Sequence, residues 1–221
     1  MRRYLGALAF GVIGIGILIS LAVWQLQRLD WKRGILANIE ARIAAAPVPI
    51  PADPDPEGDR YLAVTATGHI GPGELHLLDS IQNVGPVWRI IVPFVTDGRT
   101  VLLDRGYVLD GRQNDPHAGA VTRIVGNLIW PDDRTSSTPP NDPEKNIWFA
   151  RDLDEMARAL GTEPLLVVAR EDTGDGITPL PVSTEGIPND HLQYAITWFL
   201  LAGVWAGMTG LLLWRISRRT A

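Results

Sequence analysis

Two uncharged apolar runs, one near each end of the chain, restrict what this sequence can become. "YLGALAFGVIGIGILISLAVWQL" occupies residues 4–26, and "LQYAITWFLLAGVWAGMTGLLLW" occupies residues 192–214. At about 1.5 Å per residue, each is long enough as a helix to cross a hydrocarbon core about 30 Å thick. The first is longer than the apolar stretch of a secretory signal. The next small-residue site, "IAAAP", lies well beyond Arg28, Lys32 and Arg33, so the run reads as a retained anchor. Two spans put both termini on one side. Arg2 and Arg3 precede the first span, and Arg215, Arg218 and Arg219 follow the second. The positive-inside rule therefore favours cytoplasmic termini. The region between the spans then faces the periplasm, or the intermembrane space in an organelle.

The resulting division is a cytoplasmic N-terminus (1–3), a first transmembrane helix (4–26), a juxtamembrane helix (27–46) and a Pro/Asp-rich linker (47–60). A β-rich domain (61–171), a return segment (172–191), a second transmembrane helix (192–214) and a cytoplasmic tail (215–221) complete it. Leu26, Leu29, Leu36, Ile39 and Ile43 recur at helical spacing until Pro47 ends the pattern. The linker "PVPIPADPDPEGDR" is too rich in proline and acid to be expected to pack. Its carboxylates Asp53, Asp55, Glu57 and Asp59 alternate as in a calcium loop, without that motif's glycine placement or terminal glutamate.

Beyond the linker the signal is β. "YLAVTATGHI" and "ELHLLDS" flank Gly71-Pro72-Gly73, and "PVWRIIVPFVT" and "RTVLLDRGYVL" flank Asp97-Gly98; both pairs read as hairpins. "AVTRIVGNLIW", "NIWFA" and "PLLVVARE" add strands, with one short helix, "DLDEMARAL", before the last. Asp152 and Glu155 suit the start of that helix and Gly161 its end. The predicted fold class is a membrane-anchored α+β protein. A two-helix transmembrane hairpin flanks a small antiparallel β-barrel-like domain, closed to protect its edges.

Of the 221 residues none is cysteine, which removes disulfides, thiolate nucleophiles and thiolate metal sites. The net charge of −5, with no basic run outside the termini, argues against nucleic-acid binding. HExxH, GxSxG and Gly-rich phosphate loops are absent, so no catalytic residue is assigned. His69 and His76 flank a turn, could approach each other and, without an obvious third ligand, read as strand surface residues, while His117 in the turn-rich "NDPHAGA" is expected to be solvated. Asp104, Arg105, Asp110 and Arg112 cluster in "LLDRGYVLDGR" and are expected to solvate an edge or pair with one another; a partner-docking surface is the lesser reading.

The second span is more specific. His191, Trp198 and Trp205 recur every seven residues, about two helical turns, and so fall close to one line. Gly203 and Gly207 form a GxxxG pair, and Ala7 and Gly11 offer a matching small pair in the first span. If that glycine face packs on the first span, His191, Ala195, Trp198, Ala202 and Trp205 point away from it. They then form a shallow apolar trough with an imidazole at its mouth. Neutral imidazole is a haem axial ligand, and apolar aromatic walls suit a macrocycle. The plain alternative is an interfacial tryptophan belt, as for Trp214, with His191 a hydrogen-bonded boundary residue.

"IPNDHLQYAITWFLLA", "AVWQLQRLDWKRGIL", "GPVWRIIVPF", "VLLDRGYV" and "NIWFARDLDEMA" together resemble the motifs of the surfeit-one (Surfeit locus protein) family of cytochrome c oxidase assembly factors. The resemblance covers nearly the whole chain. It implies a non-enzymatic role in maturing haem–copper oxidases, with haem a bound transiently and oxidase subunit I as partner. Haem a synthase is a further possible partner. The resemblance places the candidate axial ligand, which is also the metal ligand, on His191 and a supporting ring on Trp198; Trp205 is positioned to contact the tail. Asp190, Asp104 and Tyr107 stand where the family commonly has Asn, Asn and Trp. Asp190 could hydrogen-bond His191 or cap the helix. The alternative function is a membrane scaffold that stabilises a subunit I intermediate without binding haem. The implied location is the bacterial inner membrane, or the mitochondrial inner membrane in a eukaryote.

Overall fold

A computed structural model of the chain describes residues 2–117 and 121–220. The chain separates into two compact units. One comprises the residues up to Asn38 together with those from Thr184 onward, and the other comprises Ile39–Ser183.

The helical unit contains most of α1 (Arg2–Ile43) and all of α3 (His191–Thr220). The anchor and the juxtamembrane segment are one uninterrupted helix of 42 residues, because no proline interrupts the backbone ladder before Pro47. At about 1.5 Å per residue it is about 63 Å long, twice a bilayer core. Both helices are long and apolar enough to cross a membrane. Their burial pattern is that of a pair solvated by hydrocarbon. Phe10, Ile13, Leu200 and Met208 are exposed, while Ala22, Ala195 and Ala202 are buried. Small side chains let two backbones approach where no water drives association.

Among the described residues the other unit is built on nine strands: β1 (Val48–Pro49), β2 (Ala63–Thr67), β3 (His69–Ile70), β4 (Leu75–Ile81), β5 (Gly85–Thr96), β6 (Arg99–Leu109), β7 (Arg123–Ile129), β8 (Ile147–Trp148) and β9 (Leu166–Ala169). They form one sheet in the order β1-β2-β7-β9-β6-β5-β4-β8, with β3 paired to β5. The sheet is open and mixed, rather than a closed antiparallel barrel. β1/β2, β4/β8 and β6/β9 are parallel pairs. The four-residue strand β9, buried along its length, inserts between β6 and β7. Such a short apolar run with both faces covered marks a central strand, and its insertion replaces a simple antiparallel succession. Edges are protected by brevity: the terminal strands β1 and β8 have two residues each.

The Asp97-Gly98 hairpin forms as predicted, with positive φ at both turn residues (45° and 75°) and Thr96 opposite Arg99. The hairpin expected around Gly71–Gly73 does not form. β2 pairs with β1 and β7, while β3 and β4 both pair with β5. At Gly68 the backbone comes so close to the Val95 carbonyl that a Cβ would collide with it. The chain thus leaves the edge of β2 and crosses to β5. Nor is the linker unpacked. Val48 and Pro49 pair with Val64 and Thr65, and Ile50 packs on the core. Arg99 donates to the Pro51 carbonyl at 2.7 Å. Proline is tolerated there because an edge strand has ladder positions that need no donor.

Alternating residues build two cores, one on each face of the sheet. Ile90, Val92, Phe94, Val101, Leu103 and Val167 belong to one; Ile91, Leu102, Leu166, Val168 and Trp148 belong to the other. On the second face lies α2 (Leu153–Leu160), which contributes Met156. Its ends match the sequence reading. Asp152 accepts from the Glu155 N–H at 3.1 Å, and Gly161 closes the helix at φ 67°.

Candidate functional site

The line of His191, Ala195, Trp198, Ala202 and Trp205 faces α1. This reverses the arrangement expected from the GxxxG pair. Gly203 and Gly207 are exposed, and a Cβ added at either would meet nothing within 4 Å. Ala195 and Ala202 are the closely packed positions, 1% and 6% exposed. Gly14 of α1 lies so close to the Trp205 indole that a Cβ there would overlap it, and Gly11 approaches Thr209 in the same way. The Phe10 and Trp205 rings lie 5.3 Å apart between centroids, tilted by 47°. The physical reason is volume. Indoles need deep partners, and glycines on the opposite helix provide them, whereas two glycines of α3 facing α1 would have left the indoles in lipid.

At the top of this seam His191 Nδ1 meets Gln25 Oε1 at 2.8 Å. The amide oxygen only accepts, so Nδ1–H is the donor, and in the neutral ring this tautomer carries its lone pair on Nε2. Asp190 stands immediately before α3, and its carbonyl accepts the first helical hydrogen bond, from the Tyr194 N–H at 3.1 Å. The residue orienting His191 is therefore Gln25, which the sequence reading did not single out. Its signal was present in "WQLQRLDW": a glutamine at the end of an otherwise apolar span, on the helix face that continues through Leu18 and Leu29. Trp198 is half-buried and lies on the same seam, and the Trp205 Nε1 is buried without a hydrogen-bond partner.

In the sheet unit the charged cluster divides: Asp110 and Arg112, beyond the end of β6, are exposed and pair with Trp88 and Asp115, whereas Asp104 and Arg105 within β6 are buried. Asp104 and Arg105 are both fully inaccessible. Arg89 donates to Asp104 Oδ2 through Nε at 2.9 Å and through a second guanidinium nitrogen. Asp104 Oδ1 accepts from the Gly106 N–H at 3.0 Å. Burial opposes the charge on Arg89, but Asp104 and Asp79 outweigh it, so its pKa is raised. Arg105 donates to the His117 carbonyl (2.9 Å), the Thr173 carbonyl (2.7 Å) and Asp175 (2.8 Å). Gly106, at φ 115°, leaves room for the Thr178 carbonyl, and Tyr107 exchanges two backbone hydrogen bonds with Thr178. Arg105, Gly106 and Tyr107 thus fasten the return segment onto β6, while Asp104 ties β6 to Arg89 of β5; buried in this way, Asp104 and Arg105 are not a docking surface. The signal available was two adjacent charges inside an apolar strand.

A second polar group went unrecognised. Glu74 accepts from His76 Nε2 at 2.7 Å and from His117 Nδ1 at 3.2 Å. Burial disfavours its charge, yet these two hydrogen bonds outweigh burial and hold the carboxyl below its ordinary value. His117 is buried rather than solvated, and His69 lines a cavity of about 610 Å³ with Glu74 and His117. His69 and His76 are not brought into mutual contact by a turn; Glu74 joins His76 to His117 instead.

Known proteins share this whole arrangement of sequence. A family model described as the SURF1 family matches residues 12–203, from the first span to the middle of α3. The chain belongs to the SURF1 family. Surfeit locus protein 1 of Rattus norvegicus is 31% identical across 91% of this chain and 72% of its own length. The Homo sapiens protein of that name is 32% identical across 83% of this chain and 69% of its own. A SURF1-like protein of Rickettsia bellii (strain RML369-C) is 30% identical, covering 84% and 82% respectively. SURF1 proteins are cytochrome oxidase assembly factors. The matched range spans the positions of Gln25, Asp104–Tyr107, His191 and Trp198.

Proposed function

We propose that this protein is a non-enzymatic oxidase assembly factor that binds haem a transiently at α3. It delivers the haem to, or stabilises it in, the haem a site of oxidase subunit I. The observation that carries this reading is the Gln25–His191 hydrogen bond. It fixes the tautomer and ring plane of a single imidazole and leaves Nε2 as the donor, as a second-shell partner does for a metal-bound histidine. The donor fits a haem iron. The walls fit less fully, because α1 already covers Ala195 and Ala202. Haem therefore reaches His191 from the flank of the helix pair, beside Trp198, or after the helices part. One histidine on a two-helix seam makes a releasable site, which suits transfer better than storage. The sheet unit faces the periplasm in this account, with both termini cytoplasmic, and docks subunit I or the haem a synthase.

A second reading is a scaffold that holds subunit I without haem. It is favoured by the packing of Trp205 against Gly14 and Phe10, which gives that indole a purely structural task. The two separate when detergent-purified wild type and His191→Ala are co-produced with a haem a biosynthesis system and their absorption spectra compared. The carrier reading expects stoichiometric haem a in the wild type and loss or spectral change in a folded variant. Equal haem in both removes His191 from the site. No haem in either, with subunit I still co-purifying, favours the scaffold.

A further inference from the structure

One flank of the helix pair carries an apolar cavity and an unpaired cation in line. Gly14, Ile17 and Leu18 of α1 and Leu201, Val204, Trp205 and Met208 of α3 line a cavity of about 410 Å³. Further along α1, Arg28 lies between two tryptophans, its guanidinium carbon 5.7 Å from the Trp24 ring and 5.1 Å from the Trp31 ring. Both indoles are exposed, 48% and 58%. Arg28 makes no ion pair among the described residues, although Arg33 pairs with Asp30 and Lys32 donates to the Pro188 carbonyl. Rings against the guanidinium leave its N–H edge open to an anion.

The geometry joins the two features. At about 100° per residue, Arg28, Trp24, Leu21 and Ile17 all turn about 40–100° to the same side of the Gln25 direction. Tyr194, Leu201 and Met208 turn about 60–100° to one side of the His191 direction on α3. Ile17 meets Leu201 and Met208 in the cavity, so these are the same flank. From Arg28 to Ile17 and Gly14 is about 17–21 Å along the axis. That is roughly the depth of one leaflet, half of a core about 30 Å thick. Tryptophans beside the cation mark the headgroup level.

We propose that this flank is a binding site for one phospholipid. Its phosphate is held by the edge of Arg28 between Trp24 and Trp31, and one acyl chain runs past Leu21 into the cavity at Val204. A single cation matches a single phosphate, and the cavity opens at the depth where that lipid's chain ends. The site is independent of His191, whose seam lies between the helices.

The test is native mass spectrometry of the full-length protein in mild detergent, titrated with a phosphatidylglycerol bearing 16- and 18-carbon chains. Four proteins are compared: wild type, Arg28→Gln, Val204→Trp and, on the opposite flank of α3, Phe199→Trp. Helicity by circular dichroism shows that each is folded. The expected result is one retained lipid in wild type and Phe199→Trp. Its affinity falls on the order of ten-fold in Arg28→Gln, as for loss of a charge-assisted contact, and by a similar factor in Val204→Trp. Equal retention by all four proteins, no retained lipid in wild type, or an equal loss in Phe199→Trp overturns the site. An Arg28→Gln defect without a Val204→Trp defect overturns the acyl-chain assignment and reduces Arg28 to an interfacial anchor.

Discussion

The helical unit and the sheet unit solve burial in opposite ways. In the sheet unit large apolar side chains point inward, and the buried charges Arg89, Asp104 and Arg105 are each matched by hydrogen bonds. In the helical unit Ala22, Ala195 and Ala202 are the most closely packed residues, and most large apolar side chains other than Leu29 and the two seam indoles point out. The seam's one side chain–side chain hydrogen bond among the described residues joins His191 to Gln25. A polar group in the first unit is part of a structural lock. In the second, where hydrocarbon is the solvent and spare polar groups are costly, an imidazole with one free nitrogen is more naturally a functional group.

The largest effect expected from breaking this contrast lies in the lock. Asp104→Ala leaves the Arg89 guanidinium buried beside an empty position and should cost about 3–5 kcal/mol. Denaturant unfolding of the full chain, followed by tryptophan fluorescence, checks this. A change below about 1 kcal/mol would show that Arg89 reaches water.

Next is the seam. Gly14→Val places side-chain atoms against Trp205 and should destabilise the helix pair by about 1–3 kcal/mol. Gly203→Val and Gly207→Val, facing nothing, should change it by less than about 0.5 kcal/mol. Unfolding in mixed detergent micelles ranks the three variants. The reverse ranking would put the GxxxG face back on α1.

That ranking marks how far the sequence could be read. The two spans, the Asp97-Gly98 hairpin and the caps of α2 rest on local patterns, and those patterns survive in the structure. The seam was misjudged because GxxxG states only that a close approach is possible, while which helix supplies the partner depends on where the indoles need depth. β9 could not be placed because its neighbours β6 and β7 are chosen by packing, not by sequence adjacency. Arg105 and His117 looked like surface residues because what satisfies them, carbonyls and carboxylates from residues 74 and 173–175, is distant in sequence.

Smaller again is Gln25→Leu, which removes one hydrogen bond and should lower stability by about 0.5–1.5 kcal/mol. It should also shift the haem a spectrum or weaken retention, because the imidazole loses its fixed tautomer. Unchanged haem binding would remove Gln25 from the site.

The smallest effect is the acid dependence of Glu74. Its folded pKa is depressed, so its contribution is complete above the ordinary value of 4.5 and is lost as pH falls below that through the folded value. The melting temperature of Glu74→Gln should therefore fall less steeply than that of wild type on acidification below about pH 4.5. Parallel curves would show that the two histidines do not hold the carboxylate.

The central claim is that His191 ligates haem a rather than merely packing the seam. It is tested most directly by the spectrum of His191→Gly, co-produced with haem a, before and after adding free imidazole. The account predicts lost or altered haem a absorption that imidazole restores. A wild-type spectrum in the variant without imidazole, or a loss that imidazole leaves untouched in a protein of unchanged helicity, would contradict it.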